Sequence, residues 1–317
     1  MSVYELKAGG GLRPAEPAHC PESQESAGVL RWVRMVSPQP HELEAAIHAL
    51  KLSDQALELL REDDLSSRVE TEGPGLAMTL PVADPGGERA WVLRMACTAT
   101  TLITVEDQAL PAIDRVVTER SRAAETGLTL PGLLIEVIEA AAGCAGPVYL
   151  SLRHKLEDFA DAVEKNPQQV SPEALLAIRS EVARLALLWH EQIHGLRELK
   201  RCHAFIPVTD GAHSQLRDLI SDGGRGLELL SQMENRLRDL RQHQQQFVQE
   251  STNRRLNMLA ILSSIYMPAT LIAGIYGMNF ETIPITTVSH GYYIVMAFMA
   301  IVVAGHFWYF YRRGWFK

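Results

Sequence analysis

The stretch Leu256 to Phe280, LNMLAILSSIYMPATLIAGIYGMNF, constrains this chain more than any other. It holds roughly twenty apolar or small residues, and at 1.5 Å per residue that is enough to cross a bilayer core of ~30 Å. It reads as a membrane helix. A second apolar run, Gly291 to Tyr311, returns after only about a dozen residues, a link so short that the two runs form a hairpin. The expected spans are 256–276 and 291–311. Arg254 and Arg255 precede the first span, while Arg312, Arg313 and Lys317 follow the second. The positive-inside rule then places both chain ends in the cytoplasm and the loop Glu281 to His290 outside.

The helix leading into the first span carries a legible stripe. Counting back from Gly277 by alternating threes and fours gives Gly274, Thr270, Met267, Ser263, Ala260, Leu256 and Asn253. The same steps continue through Gln249, Gln246, Gln242, Asp239, Asn235 and Gln232. A separate stripe, Leu230, Met233, Leu237, Leu240 and Phe247, is apolar and is expected to pack on neighbouring helices. Lipid penalises polar side chains, so a polar or small seam on a spanning helix makes sense where it lines water. The alternative is a close helix contact through small residues. Two spans cannot enclose a pore alone, so the pore reading requires an oligomer around this seam. Leu256 and Met267, the bulky apolar members, would be constrictions that gate by dewetting.

Tyr276-Gly277-Met278-Asn279-Phe280, with Met267-Pro268-Ala269-Thr270 upstream and a second span ending in basic residues, resembles the CorA superfamily of divalent-cation transporters. The match is close from about Arg217 to Lys317 and only organisational before that. The resemblance implies a homopentamer whose first span lines the channel, with Gly277, Met278 and Asn279 as the outer selectivity entrance. A ring of Asn279 carbonyls would hold a cation through its water shell, which suits Mg²⁺ because it dehydrates reluctantly and prefers oxygen. Glu281 and Pro284 match the family's continuation, but Ile283 and Ile285 stand where it usually has methionine and an acid. The zinc-transporting ZntB branch also has a reduced acidic loop, although its tripeptide is often altered, whereas here it is intact. Asp218 aligns with a family acid at a cation-sensing protomer interface and inherits that regulatory role by resemblance; the next family acid is replaced by Ser221, with Asp222 one place later. An exposed helix acid is the alternative.

The rest of the chain reads as a soluble unit. Of its 317 residues, 47% are hydrophobic, and the formal charge is −8 despite the basic membrane flanks. That acidity argues against nucleic acid as a partner and is compatible with cations. Cys20, Cys97, Cys144 and Cys202 show no CxxC pairing and read as inert thiols in a reducing compartment. The first thirty residues lack an apolar signal-peptide region, so the N-terminal part is expected to stay in the cytoplasm. Residues 1–28 read as a loose arm, 29–125 as a cytosolic α/β domain, 126–253 as cytosolic helices with a stalk helix, and 254–317 as the hairpin. Strands are expected at Leu30 to Val36, Gly75 to Val82 and Ala90 to Val105, and a helix over HELEAAIHALKL. Ser171-Pro172-Glu173 opens a helix to about Lys200. A further helix begins near Asp210 or Ser214, with Gly223, Gly224 and Gly226 as weak points. Leu128 to Leu150 is apolar enough to suggest a third span, but Glu136 and Glu139 at its centre and Pro147 argue for a soluble helix.

His190-Glu191-Gln192-Ile193-His194 fits HExxH, in which two histidines one turn apart bind zinc and the glutamate activates water. The continuation GLRELK lacks the extended metzincin pattern, so a solvated helix face is the expected reading, with zinc sensing as a minor role. The sequence thus predicts an α/β cytosolic domain followed by long α-helices and a C-terminal two-helix transmembrane hairpin, a CorA-like homo-oligomer in the inner membrane. Its partners would be itself, membrane lipid and a transported or regulatory divalent cation, Mg²⁺ or Zn²⁺, with no other cofactor. No GxxxxGK[ST] loop marks an ATPase. The enzyme alternative is a membrane-tethered zinc hydrolase using His190, Glu191 and His194, and a third reading is a closed oligomeric scaffold.

Overall fold

The computed structural model describes residues 1–6, 11–15, 30–49, 54–61, 64–72, 75–84, 86, 89–122, 129–167, 170–202, 210–278 and 289–313. The chain divides into two compact units, Met1–Leu240 and Arg241–Lys317.

The first unit is built on a seven-stranded sheet, with β1 (Ser2–Leu6), β2 (Leu12–Ala15), β3 (Leu30–Val36), β4 (Val69–Glu72), β5 (Gly75–Ala83), β6 (Ala90–Cys97) and β7 (Thr101–Glu106) in spatial order β2-β1-β3-β7-β6-β5-β4. The central pair β3–β7 is parallel and the remaining pairs are antiparallel. Alternation sorts β5 between two cores. Leu76, Met78, Leu80 and Val82 join Trp32, Leu93, Met95 and Leu102 against α4 (Leu130–Gly143). Ala77 faces the other way, with Ala96, Ile103 and Val105, onto α1 (Pro40–Ala49) and α2 (Asp54–Arg61). Helices therefore cover both faces of the sheet.

Residues 2–6 and 12–15 are strands of the sheet, not part of a loose arm. β1 pairs antiparallel with β3, β2 pairs with β1, and Val3, Leu6 and Leu12 are buried. Each strand is too short to announce itself by alternation, and its stability comes from the partner strand and from packing such as Tyr4 on Trp32, whose ring centroids lie 5.7 Å apart. Pro14 is tolerated because β2 is the sheet edge. The stretch Ala90 to Val105 is likewise two strands, turned where Thr98 N–H donates to Thr101 O at 2.8 Å.

The apolar segment weighed as a third span folds into the soluble core. α4 starts at an N-cap, Thr129, whose hydroxyl accepts from Gly132 N–H, and it buries Leu130, Leu133, Leu134, Ile135, Val137, Ile138 and Ala141. Glu136 is bonded by Arg120 Nε at 2.7 Å from α3 (Pro111–Arg122). α5 (Ala145–Lys165) and α6 (Pro172–Arg201) follow, and α6 opens on Ser171 as an N-cap with Pro172 at the first helical position. A second core joins Leu152, Leu156 and Phe159 of α5 to Leu175, Val182 and Leu185 of α6, and to Leu230, Met233 and Leu237 of α7 (Asp210–Tyr276). Leu240 is half-buried against the same core, whereas Phe247 is exposed in the single chain.

One buried charge anchors the sheet to α3. Arg34 on β3 donates to Glu106 on β7, with Nη2 2.8 Å from Oε2, and also to Asp114. Burial by itself would push the guanidinium down. The hydrogen bonds to Glu106 and Asp114 outweigh it and hold the pKa above the ordinary arginine value.

The second unit contains the end of α7 and α8 (Gly291–Arg312), each long and apolar enough to cross a membrane. Pro268 sits inside α7 and has no N–H to give the carbonyl of Ser264, one turn back. A groove of about 740 Å³ opens there, lined by Ser264, Met267 and Pro268 from α7 and by Val302, His306 and Phe310 from α8.

Candidate functional site

Within the second unit α7 has a covered and an uncovered side. Ile261 is buried, and Ile265, Pro268, Ala269, Ile272 and Tyr276 are half-buried. The proposed seam, Asn253, Leu256, Ala260, Ser263, Met267, Thr270 and Gly274, is exposed at every position. At about 100° per residue the two sets are centred about 160° apart, nearly opposite each other. A Cβ at Gly274 would meet nothing within 4 Å, so no packing among the described residues requires a glycine there. Thr270 Oγ1 bonds Tyr266 O at 2.9 Å, which occupies its proton and leaves its lone pairs outward. The extension of the stripe is exposed too: Gln232, Asn235 and Asp239 in the first unit, and Gln242, Gln246 and Gln249 in the second.

At the end of α7, Gly277 N–H still donates to Ala273 O at 2.9 Å, while Met278 N–H reaches Ile275 O at 3.4 Å, a shorter backbone step that closes the helix. Met278 is exposed. Asn279 and Glu281 lie outside the described residues.

Asp218 is exposed on α7 within the first unit, while Leu216, Leu219 and Ile220 beside it pack into the sheet core. Asp222 is ion-paired with Arg225. Asp218 and Ser221 thus share an outward face, and the replacement acid is already engaged.

The HEQIH turn is placed by structural contacts. Glu191 accepts a hydrogen bond from Ser67 N–H at 3.0 Å, and the buried Gln192 donates through Nε2 to Pro81 O at 2.8 Å. A Cβ on Gly195 would come within 2.7 Å of Ser67 Cβ, so this turn touches the chain before β4 with no room between. His190 and His194 are exposed. The carboxylate that a zincin would aim at a metal-bound water is instead turned onto the backbone. Among the described residues no three or more His, Cys, Asp or Glu side chains converge on a metal position.

Sequence reasoning missed two features of α8. The Arg312 guanidinium lies 5.0 Å from the Trp308 ring centre and that of Arg313 5.4 Å from Tyr309, so both charges are fixed over aromatic rings. The i,i+4 spacing of these pairs was readable. The Ser264–His306 groove was not, because it depends on how two helices meet. Cys97, Cys144 and Cys202 are free thiols, and burial pushes the Cys97 thiol up to about 12.

Comparison with known proteins agrees with this arrangement. The chain is 21% identical over 323 residues to the zinc transport protein ZntB of Enterobacter sp. (strain 638), covering 99% of this chain and 95% of that protein. It is 26% identical over 297 residues to the magnesium transport protein CorA of Haemophilus ducreyi, covering 90% and 91% respectively. Its fold is that of the complete CorA magnesium transporter from Methanocaldococcus jannaschii, with a TM-score of 0.83 at 17% identity and 99% of each chain covered. The family profile described as CorA-like Mg²⁺ transporter protein matches residues 27–312, so this chain belongs to the CorA family.

Proposed function

We propose that the chain forms a homopentameric channel for divalent cations in the inner membrane, with Mg²⁺ as the principal cargo. Spans 256–276 and 291–311 cross the bilayer and both ends face the cytoplasm, following the basic residues that flank the spans. One observation supports this reading most: the side of α7 opposite its covered face is the polar and small seam, exposed at every position from Asn253 to Gly274 and running directly into Gly277-Met278. A seam left uncovered by its own chain is available to line water in an oligomer. Gly277, Met278 and Asn279 then form the outer entrance, with Glu281 adding negative field beside it. Leu256 and Met267 narrow the path below, and Asp218 serves as a regulatory cation ligand at the protomer interface. A dication moving down a 100 mV potential gains ~4.6 kcal/mol, twice the ~2.3 kcal/mol of one charge, so uptake needs no ATP.

A second reading, proton-coupled Zn²⁺ transport, is favoured by the ZntB relatives that match 99% of the chain and by Ile285 in place of the usual outer acid. Purified protein in liposomes separates the two, with Mg²⁺, Zn²⁺, Co²⁺ and Ni²⁺ fluxes measured with and without a pH gradient. Mg²⁺ flux indifferent to the gradient is the expected result. Zn²⁺ flux that requires the gradient would replace the first reading by the second, and no flux of any ion would leave a closed scaffold.

A further inference from the structure

The HEQIH turn of α6 is held from every side but one. Glu191, Gln192 and Gly195 grip Ser67 and Pro81 of the sheet region. Trp189 and Ile193 meet α7 where it offers only glycine: a Cβ on Gly226 would lie 2.8 Å from the Trp189 ring, and one on Gly223 would lie 2.8 Å from Ile193. The remaining side of the turn carries His190 and His194, both exposed. On a helix, residues four apart have Cβ atoms about 5–6 Å from each other, which lets two imidazoles share one ion. The backbone beneath them is fixed by the contacts just named, so little order has to be imposed on binding.

We propose that His190 and His194 form a two-point chelate for an imidazole-preferring dication such as Zn²⁺, Ni²⁺ or Co²⁺, with water completing the shell. Glu191 is tied to Ser67 and activates no water there, so the site binds metal without hydrolysing anything. Mg²⁺ does not compete, because it takes oxygen ligands and keeps its waters. A metal on this turn stiffens a place where α6 touches both the sheet region and α7. The cytosolic unit thereby acquires a response to transition metals that is separate from Asp218 and independent of which cation the pore carries.

The test is carbethoxylation of histidines in the full-length protein by diethyl pyrocarbonate, read residue by residue by mass spectrometry, with Zn²⁺, with Mg²⁺ and with neither. Zn²⁺ is expected to protect His190 and His194 together, Mg²⁺ neither, and exposed His154 on α5 is expected to react alike throughout. In His190→Ala the protection of His194 is lost, and in His194→Ala that of His190. Protection of one histidine in the absence of the other, equal protection by Mg²⁺, or no protection at all would overturn the proposal. The outcome does not depend on flux: a chain that moves no ion yet shows paired protection keeps this site, and one that moves ions without it loses the site alone.

Discussion

Replacing a helical glycine by alanine sets two effects of similar size against each other, and α7 offers three glycines on which to measure them. Alanine gains about 1 kcal/mol over glycine in a helix interior. At Gly224 nothing lies within 4 Å of the new methyl group, so the gain stands alone. At Gly226 the methyl would meet three atoms of the Trp189 six-membered ring at 2.8, 2.9 and 2.9 Å, and that side chain also lies in a tilted contact with Tyr149, ring centroids 6.2 Å apart. At Gly223 it would meet Cγ1 of the buried, β-branched Ile193 at 2.8 Å. Overpacking of this kind costs about 1–3 kcal/mol, leaving a net loss of about 1 kcal/mol at either site. For a unit of this size each kcal/mol moves Tm by about 2–4 °C. Gly224→Ala should therefore raise Tm by about 2–4 °C, while Gly223→Ala and Gly226→Ala lower it by about the same amount. Trp189→Phe, which removes the clashing end of the ring, should recover about 1 kcal/mol when combined with Gly226→Ala. The assay is thermal unfolding in detergent, followed by reaction of the buried Cys97 thiol with a maleimide dye. If all three alanines raise Tm alike, the close approach of α6 and α7 is not there.

Three further outcomes are expected. Asn279→Ala abolishes liposome flux while the oligomer still assembles, because the polar ring is lost but no packing volume; normal flux at equal amounts of assembled protein would falsify the entrance assignment. Leu256→Ser and Met267→Ser raise leak flux by wetting a constriction, whereas Leu271→Ser, exposed but off the seam, changes insertion or stability instead; similar behaviour in all three would dissolve the seam. Ile272 makes a poor control for the lipid face, being half-buried on the covered side. Arg34→Ala leaves Glu106, whose side chain is fully buried, without its partner, and about 3–5 kcal/mol of stability should go with it; a urea midpoint close to that of the parent protein would show that the pair contributes little.

What could be read in advance followed local chemistry. Ser171-Pro172 marks the start of α6 because an N-cap and a proline at the first helical position act within one turn. The two long apolar helices, the end of α7 and α8, were legible because a run of apolar residues has few other fates. β1 and β2 were not, since each strand is stabilised by pairing rather than by its own pattern. The glycines at 223, 224 and 226 looked like flaws in a helix. Two of them are places where a neighbouring helix comes too close for any side chain, a property that belongs to the pair of helices and not to either sequence. What occupies the zincin-like glutamate was hidden for a related reason: Glu191 fits the motif, but its partner, Ser67 N–H, lies 124 residues away.

Pro268 bears on how α7 depends on α8. Its ring removes the N–H that the Ser264 carbonyl would otherwise receive one turn on, and a backbone acceptor left unpaired in hydrocarbon costs several kcal/mol. Inside water or a wet translocon that carbonyl is content. The groove it lines is completed by Val302, His306 and Phe310, all more than thirty residues further along the chain. α8 thus faces the stretch of α7 that its own proline weakens, so on the proposed two-span reading the first helix suits lipid better once the second lies beside it.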